Sequence, residues 1–303
     1  MSPRIVESRS PKPLAAASHA RLAAVLARGK ELHDIVNSPV VAAAVGSVDA
    51  LPAVPRIYLE LRDLTSRPET GAAEIAQAVA SDPVLSLKLL QLVNSVGFGM
   101  RRRVASVQQA VSLLGMEQIK ALVLTSQVFS NAAKCRVQGF SLDQFQDCAM
   151  RVGRLAQGFM ASRGIGAEAF TAGLLIDIGK LVLAMAQPDA YTAVLLRLAE
   201  SGEDVEVVER EVLGVSHSEA GAYLLWQWGL PISTVECVAF HHRAELMRQG
   251  PYELVAAAHA ADALYDIIAC GDPESRLNLQ LLERAGVIGE LPKWREQVSE
   301  ALS

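Results

Sequence analysis

A chain of 303 residues, 51% of them hydrophobic, carries enough apolar material for one large domain or two small ones, which excludes wholesale disorder. Ala and Leu dominate, aromatics are only 5% and β-branched runs are short, so the composition predicts an all-α protein. A net charge of −5 argues against nucleic-acid binding as the main role. No uncharged run approaches the ~18 residues of a membrane span, and the N-terminus carries no apolar leader. Cys135, Cys148, Cys237 and Cys270 form no C-x-x-C pair and predict reduced thiols. These features together predict a cytoplasmic protein.

In chain order, residues 1–13 are polar with three prolines and carry no predicted structure. Residues 14–45 follow helical spacing, with Leu22, Val25, Leu26, Leu32, Ile35 and Val36 on one stripe and a break at Pro39. This predicts a helix docked on the body. Leu51-Pro52-Ala53-Val54-Pro55 is a stiff lead-in to a helix with Ile57, Leu61 and Leu64 inward. Gly71–Ala80 is the next helix. Asp82 then caps one that opens with Pro83 and ends at Asn94-Ser95, before a glycine loop and Arg101-Arg102-Arg103. That arginine run is read as solvated loop charge. Ser106–Leu114 stops at Gly115, and Met116–Phe129 is strongly apolar.

Ser141-x-x-Gln144 opens a helix running to Ser162. The stretch Thr171–Lys180 follows, apolar except for Asp177 and Lys180, on a helix predicted to end before Pro188. Two helices flank Ser201-Gly202. Ser216-His217-Ser218-Glu219 reads as a capping box that places His217 in a first turn. Trp226, Trp228 and Pro231 suggest a packed corner, and Pro231–Phe240 leads into His241-His242. Tyr252–Cys270 is the last long helix, with His259 and Asp262 on one face. Residues 277–300 predict two short helices.

Leu51-Pro52 with Pro55, Asp82-Pro83, Asn94-Ser95, Leu113-Leu114-Gly115 and Gly173-Leu174-Leu175 stand in the order of an HDOD domain. Glu211-x-x-Gly214-x-x-His217-x-x-x-Gly221, Trp228-x-Leu230-Pro231 and His241-His242 continue it. The chain thus resembles the HDOD family, HD-related output domains of bacterial signalling proteins. The resemblance implies an N-terminal tail and docking helix (1–45), an HDOD domain (46–245) and C-terminal helices that complete an HD-like core (246–303). Within that plan, a smaller helical subdomain (46–135) packs on the core (140–270).

A helical HD hydrolase converges neutral imidazoles and carboxylates on a divalent metal that activates water. In this chain the family's His-Asp doublet is Ile176-Asp177, and the place of an earlier histidine lies near Cys148. The resemblance therefore implies a degenerate pocket of Asp177, Lys180, His217, His241, His242 and Asp262, with no catalytic residue, no metal and no cofactor. Each residue also has a structural reading. Asp177 pairs with Lys180 or caps a helix; His217 is a hydrogen-bonded core histidine; His241-His242 ends a helix as a favoured cation; Asp262 holds the tautomer of His259. The implied function is a non-enzymatic regulatory module that acts through protein partners. A metal-dependent phosphohydrolase of nucleotides or cyclic dinucleotides, and a sensor of a nucleotide-like ligand, are the alternatives.

Overall fold

A computed structural model describes residues 19–46, 54–132 and 136–302. The expectations for residues 1–18, for Leu51-Pro52-Ala53, for Cys135 and for the Leu22 side chain fall outside what is described. Among the described residues there are 18 α-helices and no strand. The protein is all-α, as its composition requires.

The N-terminal helices are α1 (His19–Arg28), α2 (Lys30–Val36) and α3 (Pro39–Ala44). The stripe expected to run unbroken to Pro39 is interrupted at Gly29, whose φ of 139° no helix accommodates. The break rotates the face: Val25, Leu32, Ile35 and Val36 are buried while Leu26 is exposed. A bundle of α4 (Arg56–Thr65), α5 (Ala72–Ala80), α6 (Pro83–Val93), α7 (Val107–Leu114) and α8 (Met116–Ala132) follows. Asp82 Oδ1 accepts from the amides of Val84 and Leu85, the predicted cap. Arg101, Arg102 and Arg103 are exposed in the loop after α6.

The core comprises α9 (Leu142–Met160), α10 (Gly166–Leu175), α11 (Ile178–Ala186), α12 (Pro188–Ser201), α13 (Val205–Leu213), α14 (His217–Gln227), α15 (Ile232–Phe240) and α16 (Tyr252–Tyr265). Helices α17 (Leu279–Arg284) and α18 (Leu291–Leu302) close over α16 and α9. The bundle α4–α8 packs through α8 on α10, and one continuous apolar core runs through both parts. The stretch Gly166–Ala186 is long and apolar enough in composition to cross a membrane, but most of it is buried in this core and Asp177 interrupts it.

Small residues set the helix spacings that matter. A methyl on Gly173 would lie 2.9 Å from the Val152 carbonyl oxygen, so α9 and α10 touch backbone to backbone. A methyl on Gly179 would lie 1.8 Å from the His217 carbonyl oxygen, so α11 and α14 touch in the same way. That second contact brings Asp177 alongside His217.

Helices α2 and α3 rest on α14, and α2 also meets α15. Gln187 Nε2 donates to the Ala44 carbonyl at 2.9 Å, and Arg28 Nε stands 3.8 Å from Glu236 Oε2. Glu236 is 1% exposed, and burial, only partly offset by Arg28, pushes its carboxyl up to about 7. That lies above an unfolded carboxyl's value, so between roughly pH 4.5 and 7 the native state holds a proton that the unfolded chain has released. Stability should therefore fall as pH rises through this window. Glu236→Gln should melt higher than wild type at pH 8, by a few degrees, with the gap closing below about pH 5. Melting curves at both pH values check this, and an equal gap at both would count against it.

Candidate functional site

Asp177 sits where the expected single helix breaks, between α10 and α11, with φ −102° and ψ 9°. The break between Leu175 and Ile178 leaves the Asp177 carboxylate turned inward. Its Oδ2 accepts from Lys180 Nζ at 2.6 Å, the expected pair. Its Oδ1 is buried with no hydrogen-bond partner and faces His217 Nε2 at 3.3 Å and His241 Nε2 at 3.7 Å. Burial opposes the charge of Asp177, but Lys180 and then His217 overcome it and hold the carboxyl well below the usual range.

His217 opens α14 behind the predicted capping box: Ser216 Oγ accepts from the Glu219 amide, and Glu219 Oε2 from the Ser216 amide. The histidine is fully buried, and both its backbone N–H and its Nδ1 lie 2.7 Å from Glu209 Oε2 on α13. Burial disfavours the imidazolium, but Glu209 and then Asp177 push His217 up to about 10. His241 and His242 follow the last turn of α15. His242 Nε2 is 3.2 Å and His241 Nε2 3.3 Å from His217 Nε2. His241 Nδ1 donates to the Val238 carbonyl at 2.9 Å. Burial, then the charge of His217, pushes His241 down to about 3 and depresses His242 as well. The two are therefore neutral at the end of α15, which corrects the reading of a dipole-stabilised cation.

Four donor atoms from Asp177, His217, His241 and His242 lie within 4.8 Å of one another. Sequence reasoning treats them as peripheral remnants; the fold converges them, and together they could hold a divalent cation. Lys180 belongs to the site as the partner of Asp177. Asp262 does not join the quartet. It is buried on α16, 3.9 Å from Arg276 Nη2, and burial with the charges of Asp177 and Asp266 pushes its carboxyl up to about 7. Nor does it hold His259, as the sequence suggested: His259 Nε2 accepts from the Asn278 amide at 2.9 Å, and its other bond goes to the His241 backbone. His259 is thus a strut beneath the His241-His242 turn.

The residues that sequence reasoning missed are Glu209 and Glu206. Glu206 pairs with Arg210 at 2.9 Å and Arg243 at 3.3 Å, and Arg243 also meets Glu219 at 3.0 Å, which ties α13, α14 and the turn after α15 together. Both glutamates, one helical turn apart on α13, are nearly fully buried, which their sequence context does not mark. The position before Asp177 is Ile176, 2% exposed, and Cys148 is half-buried with its thiol held protonated by burial and by the charges of Asp262 and Asp177.

A cavity of about 940 Å³ reaches His242 and His259 from solvent, with Glu203, Asp204, Asp272, Arg276 and Asn278 on its walls. Its carboxylates outnumber its cations, and Arg276 is already matched by Asp266 at 2.9 Å.

The HDOD domain family matches residues 51–244. A Treponema pallidum (strain Nichols) protein of uncharacterised role is 28% identical over 200 residues, covering 64% of this chain and 38% of its own length. The chain therefore spans well under half of that relative. A crystal structure from Shewanella amazonensis SB2B, of a protein provisionally called a phosphohydrolase, superposes with a TM-score of 0.67 at 26% identity, over 88% of this chain and 95% of that one. An HDOD domain protein of unknown function from Geobacter sulfurreducens shares the fold at 22% identity, with a TM-score of 0.64 over 83% of this chain and 93% of that one.

Proposed function

Because this chain belongs to the HDOD domain family, we propose that it is a cytoplasmic regulatory module of bacterial signal transduction that works through protein contacts and turns over no phosphoester. The observation that carries this reading is Ile176, buried and apolar where the doublet would supply a histidine beside Asp177. A hydrolytic metal keeps an open coordination position for water, with its other ligands fixed around it. Around Asp177 the side towards Cys148 and Asp262 offers a protonated thiol and a carboxylate held near Arg276. The acid-walled cavity also disfavours a phosphorylated substrate. Protein contact is supported by Val84, Leu87 and Val96, exposed on and just after α6 beside the arginine loop.

The test is turnover of nucleotides and cyclic dinucleotides by purified protein supplied with Mn²⁺, Fe²⁺ or Zn²⁺. No product above background is expected; product that disappears in Asp177→Asn would overturn the reading. Ile176→His adds a second arm. It places a polar ring in an apolar site, which should cost on the order of 1–4 kcal/mol, and it should not create turnover because Cys148 stays in place. A melting series with an activity assay checks both halves.

A further inference from the structure

We propose that Asp177, His217, His241 and His242 bind one divalent first-row transition-metal ion, independently of any hydrolysis. The hydrogen bonds fix where the lone pairs point. His241 Nδ1 faces the Val238 carbonyl and must carry the proton, so the Nε2 of that neutral ring is a bare lone pair. His217 Nδ1 donates to Glu209, which leaves Nε2 as the ligand atom; without an ion that nitrogen carries a proton toward Asp177, and a bound cation would displace it. These two nitrogens 3.3 Å apart, a third at 3.2 Å and the unpartnered Asp177 Oδ1 at 3.3 Å all face one point. A single N–H on His217 lies along only one of these three directions; a cation between them satisfies all of them.

The spacing agrees with that occupant. Nitrogen ligands about 2.0–2.1 Å from a zinc-sized ion in tetrahedral array stand roughly 3.3 Å apart. The widest pair, within 4.8 Å, closes with a side-chain movement of about an ångström or spans a wider coordination shell. Three imidazoles and one carboxylate select Zn²⁺, Fe²⁺ or Co²⁺ over Mg²⁺ and Ca²⁺, which prefer oxygen shells. Outer partners that orient the ligands are in place: Glu209 for His217, Val238 for His241 and Lys180 for Asp177. The route in is the cavity that ends at His242, whose carboxylates Glu203, Asp204 and Asp272 draw cations toward it.

The full chain, stripped with a chelator and dialysed against Zn²⁺ or Co²⁺, should retain one ion per chain. The Co²⁺ form should show visible d–d absorption of a nitrogen- and oxygen-ligated centre, and both ions should raise the melting temperature, which Mg²⁺ should not. His242→Ala, at the cavity end of the quartet, and Asp177→Asn should each weaken Zn²⁺ binding about tenfold or more, whereas His33→Ala, a half-exposed histidine outside the quartet, should leave it unchanged. Folded wild type that retains neither ion, or retention unaltered in both variants, would overturn the proposal. Turnover by the loaded protein would overturn the non-hydrolytic reading and leave this one standing; a metal-free, inactive wild type does the reverse.

Discussion

Gly179→Ala is expected to lose more stability than any other single methyl addition in the core. The added carbon would lie 1.8 Å from the His217 carbonyl oxygen and 2.7 Å from the Gly221 amide nitrogen, both backbone atoms that cannot rotate away. Helices α11 and α14 would have to separate. Overpacking of this kind costs roughly 1–3 kcal/mol and more where backbone must move, so a fall of about 3 kcal/mol or more, on the order of 10 °C in melting temperature, is expected. The same separation would carry Asp177 away from His217, so the quartet should loosen with the fold. Gly158→Ala on the exposed face of α9 is the control: nothing lies within 4 Å of its new methyl. It should raise stability by about 0.5–1 kcal/mol, because glycine costs conformational entropy in a helix. Thermal melts of both variants check the contrast, and a mild effect at Gly179 would contradict the backbone contact.

Glu209→Ala is the second large loss. Glu209 Oε2 accepts from two groups of His217, the backbone N–H and Nδ1–H, and both residues are fully buried. Truncation leaves two donors in an apolar interior with nothing to bond. Removing one partner of such a pair costs about 3–5 kcal/mol, against near-neutral effects for exposed ion pairs. Arg295→Ala, which breaks the exposed pair with Glu274, supplies that comparison and should change stability by well under ~1 kcal/mol. Urea unfolding at pH 7 measures both; equal losses would show that the Glu209 contact has no special weight.

The helices were legible because local chemistry specifies them. Asp82 with Pro83, Ser141 with Gln144 and Ser216 with Glu219 mark helix starts that the structure reproduces. The two errors in helix reading share one cause. At Gly29 and at Asp177 the apolar pattern continues across a break, so periodicity alone shows nothing. Gly29 takes a φ of 139°, and Asp177 leaves helical geometry so that its carboxylate can reach His217.

The site was legible as a set of residues and not as an arrangement. Asp177, His217, His241 and His242 stand out because buried polar side chains need partners, but their convergence depends on the closeness of α11 to α14. That closeness is set by Gly179 and Gly221, which carry no chemistry of their own. Asp262 was grouped with the others because the resemblance implies a final carboxylate in the pocket; its actual neighbour, Arg276, arrives from the segment after α16. Glu209 escaped notice because nothing local distinguishes it from the solvent-facing glutamates Glu203 and Glu211.

The most direct test is to locate the ion. Crystals of the full chain grown with Zn²⁺, with diffraction collected on both sides of the zinc absorption edge, give its position without reference to activity. One anomalous peak is expected, about 2.0–2.2 Å from the Nε2 atoms of His217, His241 and His242 and from an Asp177 oxygen. An ordered quartet with no peak, or zinc instead among Asp262, Asp266 and Asp272, would contradict it.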